Sequence, residues 1–291
     1  MRGLKDKVAI VTGGPGNIGS AVCRRLAEEG CKLMIADIAL DRAEALAAQL
    51  REKGMTAAAC PLDLKNEESI QAMVDTTVET YGTVDILVNM AYGVHLQWED
   101  SVTPFTKLRP EFFLEVLQTN TVGYMMTCQK VLPVFLKKQS GVIVNFSSTA
   151  AIEGNVCRFA YSASKAGIMT LAMNIACAYG KMGIRCNTVL PGFIIPDEGT
   201  LEASYPGDIG ISMKESMMTP DVGRSSDVAS VVAFLASDDA SFINGDSICV
   251  DGGHRIPNPA QATVNMHKDV ISPFYPKSYK REDYPDGWAE V

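Results

Sequence analysis

Residues 7–26 constrain this chain more than any other stretch. Lys7-Val8-Ala9-Ile10-Val11 is a short apolar run of the kind that forms a buried strand, and Ile18, Val22 and Leu26 give the following segment one apolar helical face. Between them lies Thr12-Gly13-Gly14-Pro15-Gly16-Asn17-Ile18-Gly19, with G-x-G-x-x-G at Gly14, Gly16 and Gly19. Glycines also make plain turns. A strand before and a helix after give this loop a sharper meaning. Without Cβ atoms the chain turns tightly, and a pyrophosphate can approach the N–H groups of Gly13, Gly16, Asn17, Ile18 and Gly19 at the helix N-terminus.

The same alternation runs on. Strands are expected at 32–36, 56–61, 84–88, 142–146, 184–190 and 247–250, and helices at 41–53, 67–81, 110–138, 159–182 and 227–237, with Asp41 placed to cap the second helix. Val- and Ile-rich strands alternating with helices make βαβ units. Right-handed crossovers then give an α/β fold, a doubly wound, Rossmann-like parallel sheet with helices on both faces. No linker divides the chain. Residues 1–253 are expected to form one dinucleotide-binding catalytic domain, in which 191–226 is a long substrate loop. Residues 254–291, rich in Pro and without periodicity, read as an irregular C-terminal extension.

A net charge of -8 argues against nucleic acid or an anionic membrane as the main partner. The longest apolar stretch, 166–179, is too short to span a bilayer, and the N-terminus has no secretory core. Eight scattered Cys without C-x-x-C fit a reducing compartment, and three His without ligand spacing argue against zinc. A soluble, cytoplasmic protein without a metal is the expectation.

Asp37 ends the second strand, 18 residues past Gly19. A carboxylate there accepts hydrogen bonds from the adenosine ribose hydroxyls and repels a 2′-phosphate. Ile38 and Ala39 follow it, with no Arg before Arg42, so the cofactor expected is NAD. Further on, Tyr161 and Lys165 are four residues apart, one helical turn. An ammonium that close favours phenolate and is expected to lower the Tyr pKa, making Tyr161 a general acid/base.

With these residues on the page, the chain resembles the short-chain dehydrogenase/reductase family over roughly residues 5–253. The motifs arrive in order: the Thr-Gly loop, Asp37, Asp63, Asn89-Met90-Ala91, Asn120, Ser148, Tyr161-x-x-x-Lys165, Pro191-Gly192 and Val250-Asp251-Gly252-Gly253. Each is weak alone; the ordered set is specific. The resemblance implies a catalytic set of Asn120, Ser148, Tyr161 and Lys165. Ser148, rather than the adjacent Ser147, stands thirteen residues before the Tyr and would hydrogen-bond the substrate oxygen. Tyr161 would take or return the proton. Lys165 would hold the cofactor ribose, and Asn120 would kink its helix and anchor a relay water. Asp63 and Leu64 would meet the adenine, Asn89 and Ala91 the ribose region, and Pro191, Gly192 and Ile194 the nicotinamide.

Three positions depart from the family pattern. Asn17 stands where a glycine is usual, with Gly16 one place early. Tyr92 replaces the glycine of N-N-A-G, with Gly93 one place late, and Ile195 replaces a Thr that Thr200 could supply after a shift. The substrate walls expected from the fold are 92–98, 150–159 and 193–218, where Tyr92, Ser148 and Phe193 would meet the substrate. Their apolar and aromatic character suggests a secondary alcohol or ketone on a ring or hydrophobic body, with Glu153 and Arg158 either adding polar contacts or serving as surface charges. The apolar faces of 110–138 and 166–179 and the family's habit imply a homotetramer, or a homodimer. Open alternatives are a carbonyl reductase running the reaction in reverse, a non-catalytic nucleotide sensor, and a nucleotide-sugar epimerase or dehydratase, which would need a larger substrate domain.

Overall fold

The computed structural model describes residues 1–256. Among these residues seven parallel strands form the sheet: β1 (Val8–Thr12), β2 (Lys32–Asp37), β3 (Ala57–Pro61), β4 (Ile86–Asn89), β5 (Gly141–Phe146), β6 (Ile184–Pro191) and, at the far edge, the last described strand (Ser247–Val250). Their order is β3-β2-β1-β4-β5-β6 and then that last strand. Winding therefore reverses between β1 and β4, which opens a crevice at the strands' carboxyl ends.

Strand alternation divides the core. Ala9, Val11, Leu33, Ile35 and Val88 face one cluster, and Ile10, Met34, Leu87 and Ile143 face the other. The first cluster is covered by α1 (Asn17–Glu28), α2 (Leu40–Glu52) and the helix Ser225–Ala236. The second is covered by α3 (Glu67–Tyr81) and by two long helices named below. This is the doubly wound arrangement expected.

Strand and helix limits depart from expectation by one or two residues in most elements, but four departures are larger. Residues 94–102, read only as a substrate wall, form α4 (Val94–Val102). The expected helix 110–138 is broken into α5 (Pro110–Leu117), a π-turn (Gln118–Val122) and α6 (Gly123–Lys138). The next helix, α7 (Phe159–Tyr179), ends in a 3-10 turn (Gly180–Met182). Asp41 does not cap α2: Ala39 is the cap residue, Asp41 lies in the first turn, and the Ala39 N–H donates to Asp37 Oδ1 at 2.8 Å.

The segment 191–226 has structure of its own. It holds β7 (Ile194–Ile195), α8 (Leu201–Ser204), α9 (Asp208–Ser216) and β8 (Gly223–Arg224), with β7 and β8 paired in parallel. Arg224 Nη1 donates to the carbonyls of Pro196 at 3.1 Å and Gly199 at 2.7 Å, closing the loop at its base. Helix Ser225–Ala236 is α10, and Ser247–Val250 is β9. No described helix is long and apolar enough to cross a membrane. The expected extension lies, beyond residue 256, outside the described residues.

Candidate active site

The fold gathers the singled-out residues at the carboxyl ends of β1, β2, β4, β5 and β6. Gly13 has φ 71°, and a Cβ there would meet the Ala91 backbone at 2.8 Å. A Cβ on Gly19 would meet Gly13 O at 2.3 Å. α1 starts directly after Gly16 with no side-chain cap. Among the described residues the N–H groups of Asn17, Ile18 and Gly19 meet no acceptor. Uncapped N–H groups at the positive end of a helix suit a pyrophosphate, so these residues fit a dinucleotide.

Thr12 ties this loop to the next strand end: its hydroxyl accepts from Met90 N at 3.0 Å and Ala91 N at 3.2 Å. Asp37 is half-buried and Ile38 is exposed. Arg42 Nη2 donates to Pro15 O at 3.1 Å, bringing its guanidinium to the glycine loop. Asp63 accepts from Lys65 N at 2.8 Å in the turn after β3, and Leu64 is buried in the second core cluster. Asn89 is buried, with its side chain engaged inside the protein: Nδ2 donates to Asn145 Oδ1 at 3.0 Å, and Oδ1 accepts from Thr127 at 2.9 Å. Thus Asn89 holds the sheet together through its side chain, a role the sequence did not separate from cofactor contact.

Ser147 and Ser148 are told apart by direction. Ser147 Oγ donates to Lys165 O at 2.8 Å, bracing α7 from β5. The Ser148 hydroxyl instead lies by the Tyr161 phenol, which it holds down against other influences. Lys165 is 2% exposed, and its Nζ donates to Phe146 O at 3.0 Å. Three tyrosine rings surround that nitrogen: Tyr124 at 5.1 Å, Tyr92 at 5.5 Å and Tyr161 at 5.7 Å from ring centroid. Asn120 lies in the π-turn, with Oδ1 accepting from Gly93 N at 3.3 Å and Nδ2 donating to Ser164 Oγ at 3.0 Å.

One electrostatic expectation is corrected. Lys165 does not lower Tyr161 in this fold. Burial pushes the Tyr161 phenol up to about 12, against the lowering hydrogen bond of Ser148 and the weaker pull of the Arg158 guanidinium. Burial also pushes Lys165 down to about 7. Low dielectric disfavours both charged forms, and it outweighs their mutual attraction.

On the substrate side, Phe193 packs edge-on against Tyr205 at 6.0 Å and His254 at 4.8 Å, while Tyr92 meets Tyr161 at 6.3 Å. Gly192 N donates to Val250 O at 3.0 Å, fixing the start of the 191–226 segment on β9. Ile194 is half-buried in β7. Ile195 is buried, and Thr200 Oγ caps α8 by accepting from Ala203 N at 3.1 Å, so Thr200 is engaged there rather than standing in for a residue at 195. Sequence reasoning missed Asp100, a buried carboxylate that accepts from Tyr161 N at 2.7 Å. A signal existed: Arg158, at the N-cap of α7, is not a capping residue.

A family model described as enoyl-(acyl carrier protein) reductase matches residues 15–255. The chain is 33% identical over 266 residues to a 7alpha-hydroxysteroid dehydrogenase of Bacteroides fragilis, covering 91% of this chain and 100% of that one. It is 35% identical to a probable short-chain type dehydrogenase/reductase of Bradyrhizobium diazoefficiens, covering 90% of this chain and 92% of that one. Among solved structures, an NAD+-bound xylitol dehydrogenase superposes with a TM-score of 0.79 at 30% identity, covering 87% of this chain and 100% of that one.

Proposed function

The chain belongs to the short-chain dehydrogenase/reductase family, whose members use nicotinamide cofactors, and from that premise we propose that it is an NAD-dependent oxidoreductase acting on a secondary alcohol or its ketone. One observation carries the reading: buried Lys165 Nζ lies 5.7 Å from the Tyr161 ring centroid, and the Ser148 hydroxyl acts on the Tyr161 phenol, at the strand ends next to the glycine cradle. The cofactor supplies the hydride acceptor or donor. The protein's own residues handle the proton. In oxidation, the phenolate form of Tyr161 would accept the hydroxyl proton at Oη as the carbon's hydride leaves with its electron pair, and Ser148 would steady the developing alkoxide. Lys165 and Asn120 complete the set, Lys165 on the ribose side and Asn120 through its links to Gly93 and Ser164.

For cofactor choice, Asp37 at the end of β2 supports NAD, as its carboxylate would repel a 2′-phosphate. The NAD+-bound neighbour is consistent with that. Asp63, Leu64, Ala91, Pro191, Gly192 and Ile194 are proposed to line the rest of the cofactor. The aromatic wall of Tyr92, Phe193 and Tyr205 supports a cyclic or otherwise hydrophobic substrate, and the hydroxysteroid relative points the same way. Free cysteines at all eight positions support a cytoplasmic location.

A second reading has its own support. A phenol held near 12 is protonated at neutral pH, which suits donation to a carbonyl oxygen. In this reading the same residues run carbonyl reduction, with Tyr161 as the proton donor.

The test is a panel of cyclic and aromatic secondary alcohols and ketones, each with NAD and NADP cofactors, following reduced cofactor by absorbance. Preference for the NADP pair would overturn the Asp37 argument. Tyr161→Phe is expected to cut kcat by about 10²–10⁴-fold or more while NADH still binds. Near-normal turnover in that variant would remove Tyr161 from its role.

A further inference from the structure

We propose that Asp100 is the remote cap and positioning residue of the turn that carries Tyr161. Helix α7 has 21 residues and starts at Arg158 with no side-chain cap of its own; Arg158 itself is in the left-handed region, φ 62° and ψ 42°. The first N–H groups of a helix need acceptors, normally from the residue at the cap. Here they are met from α4. Asp100 Oδ2 accepts from Tyr161 N at 2.7 Å and Oδ1 from Ala160 N at 3.4 Å, and its main-chain carbonyl accepts from Arg158 N at 3.2 Å. Ser101 Oγ accepts from Arg158 Nε at 3.1 Å. Asp100 is 0% exposed, and a buried carboxylate persists in a fold only where its hydrogen bonds are met. Its charge also lies at the positive end of α7.

The carbonyl of the same residue is held as well. Ser164 Oγ donates to Tyr161 O at 2.7 Å, and Asn120 Nδ2 donates to Ser164 Oγ at 3.0 Å. Asn120 Oδ1 in turn accepts from Gly93 N, at the start of α4. The catalytic turn is thus tied to both ends of α4, and α4 presents Val94, Trp98 and Val102 outward. Asp100 acts through Tyr161: it sets where the phenol stands relative to Ser148.

This inference rests on the role given to Tyr161 above, and its test separates the two. Asp100→Ala and Asp100→Asn are made in the full chain. Backbone exchange of residues 158–165 is read by deuterium uptake, and kcat and KM are read with the fastest-reacting alcohol of the panel. Asp100→Ala is expected to speed exchange in 158–165 and to lower kcat by about tenfold to a hundredfold, the usual cost of a misplaced catalytic group, with KM little changed. Asp100→Asn keeps an acceptor for Tyr161 N and is expected to restore both. If the Ala variant does not fold, Asp100→Ser, too short to reach the amide, takes its place. Unchanged exchange in the Ala or Ser variant overturns the proposal. So does looser exchange with unchanged kcat, or an Asn variant as impaired as the Ala variant. If the native chain turns over no alcohol in the panel, the functional reading fails, while the exchange comparison still decides whether Asp100 caps the turn.

Discussion

At the scale of single residues, the pair four positions apart behaves differently from its spacing. The sequence puts Tyr161 and Lys165 on one helical face, and the pairing argument then lowers the phenol. Burial reverses the balance, moving Tyr161 up to about 12 and Lys165 down to about 7. The consequence for stability has a definite sign. Between about 7 and the ordinary 10.5 of lysine, the unfolded chain binds more protons at this position than the folded one, so stability from Lys165 rises with pH. The slope is at most about 1.4 kcal/mol per pH unit. Tyr161 acts oppositely: its contribution is complete below the ordinary 10 and is lost as pH rises towards 12. Lys165→Met is expected to flatten the rise between about pH 7.5 and 9.5, measured by urea unfolding of the protein without added cofactor. An equal rise in the variant would mean that Lys165 is not the group responsible. The serine choice, by contrast, was legible. The family resemblance places its serine thirteen residues before the Tyr, at Ser148, and the structure turns Ser147 away to the Lys165 carbonyl.

At the scale of elements, strands and glycine loop were legible because their causes are local. β-branched runs fix the strands, and only residues without Cβ fit where the loop closes. A Cβ at Gly19 would come within 2.3 Å of Gly13 O, so Gly19→Ala is expected to weaken NADH binding by at least about tenfold, roughly 1.4 kcal/mol, in a fluorescence titration. Gly154→Ala, where a Cβ meets nothing within 4 Å, is the matched control and should bind as the native chain does. Equal affinity in both would show that the loop relaxes at no cost. Helix α4 was not legible, and the break at Asn120 was expected only from the family resemblance. α4 has a weak apolar periodicity and buries only Leu96 and Asp100 along its length. Its partners, Tyr161 and Asn120, are distant in sequence. The π-turn sits where Asn120 reaches Gly93 and Ser164, contacts that no helical periodicity encodes.

At the scale of the whole molecule, strand order gives the site its location. β1 and β4 are neighbours, and the chain leaves them in opposite directions, so Gly13, Asp37, Ala91 and Ser148 meet at one edge though they are far apart in the chain. The outer surfaces of α5, α6 and α7 carry exposed Leu114, Met125 and Met173. Together with the family's habit they support a homotetramer. Light scattering is expected to give four times the 31.3 kDa chain, or twice it for a homodimer. A mass of one chain would count against assembly through these helices.

The sequence by itself determined the α/β class, the order of the strands and helices, the glycine cradle and the Tyr161–Lys165 pair proposed to handle the proton. Each rests on local causes: side-chain periodicity, missing Cβ atoms, or fixed spacing within one helix. Only the tertiary structure decided the direction of the Tyr161 and Lys165 shifts, the structural engagement of Asn89, and the capping of α7 by Asp100. Those depend on burial and on partners tens of residues away, and neither is a property of any stretch of chain taken alone.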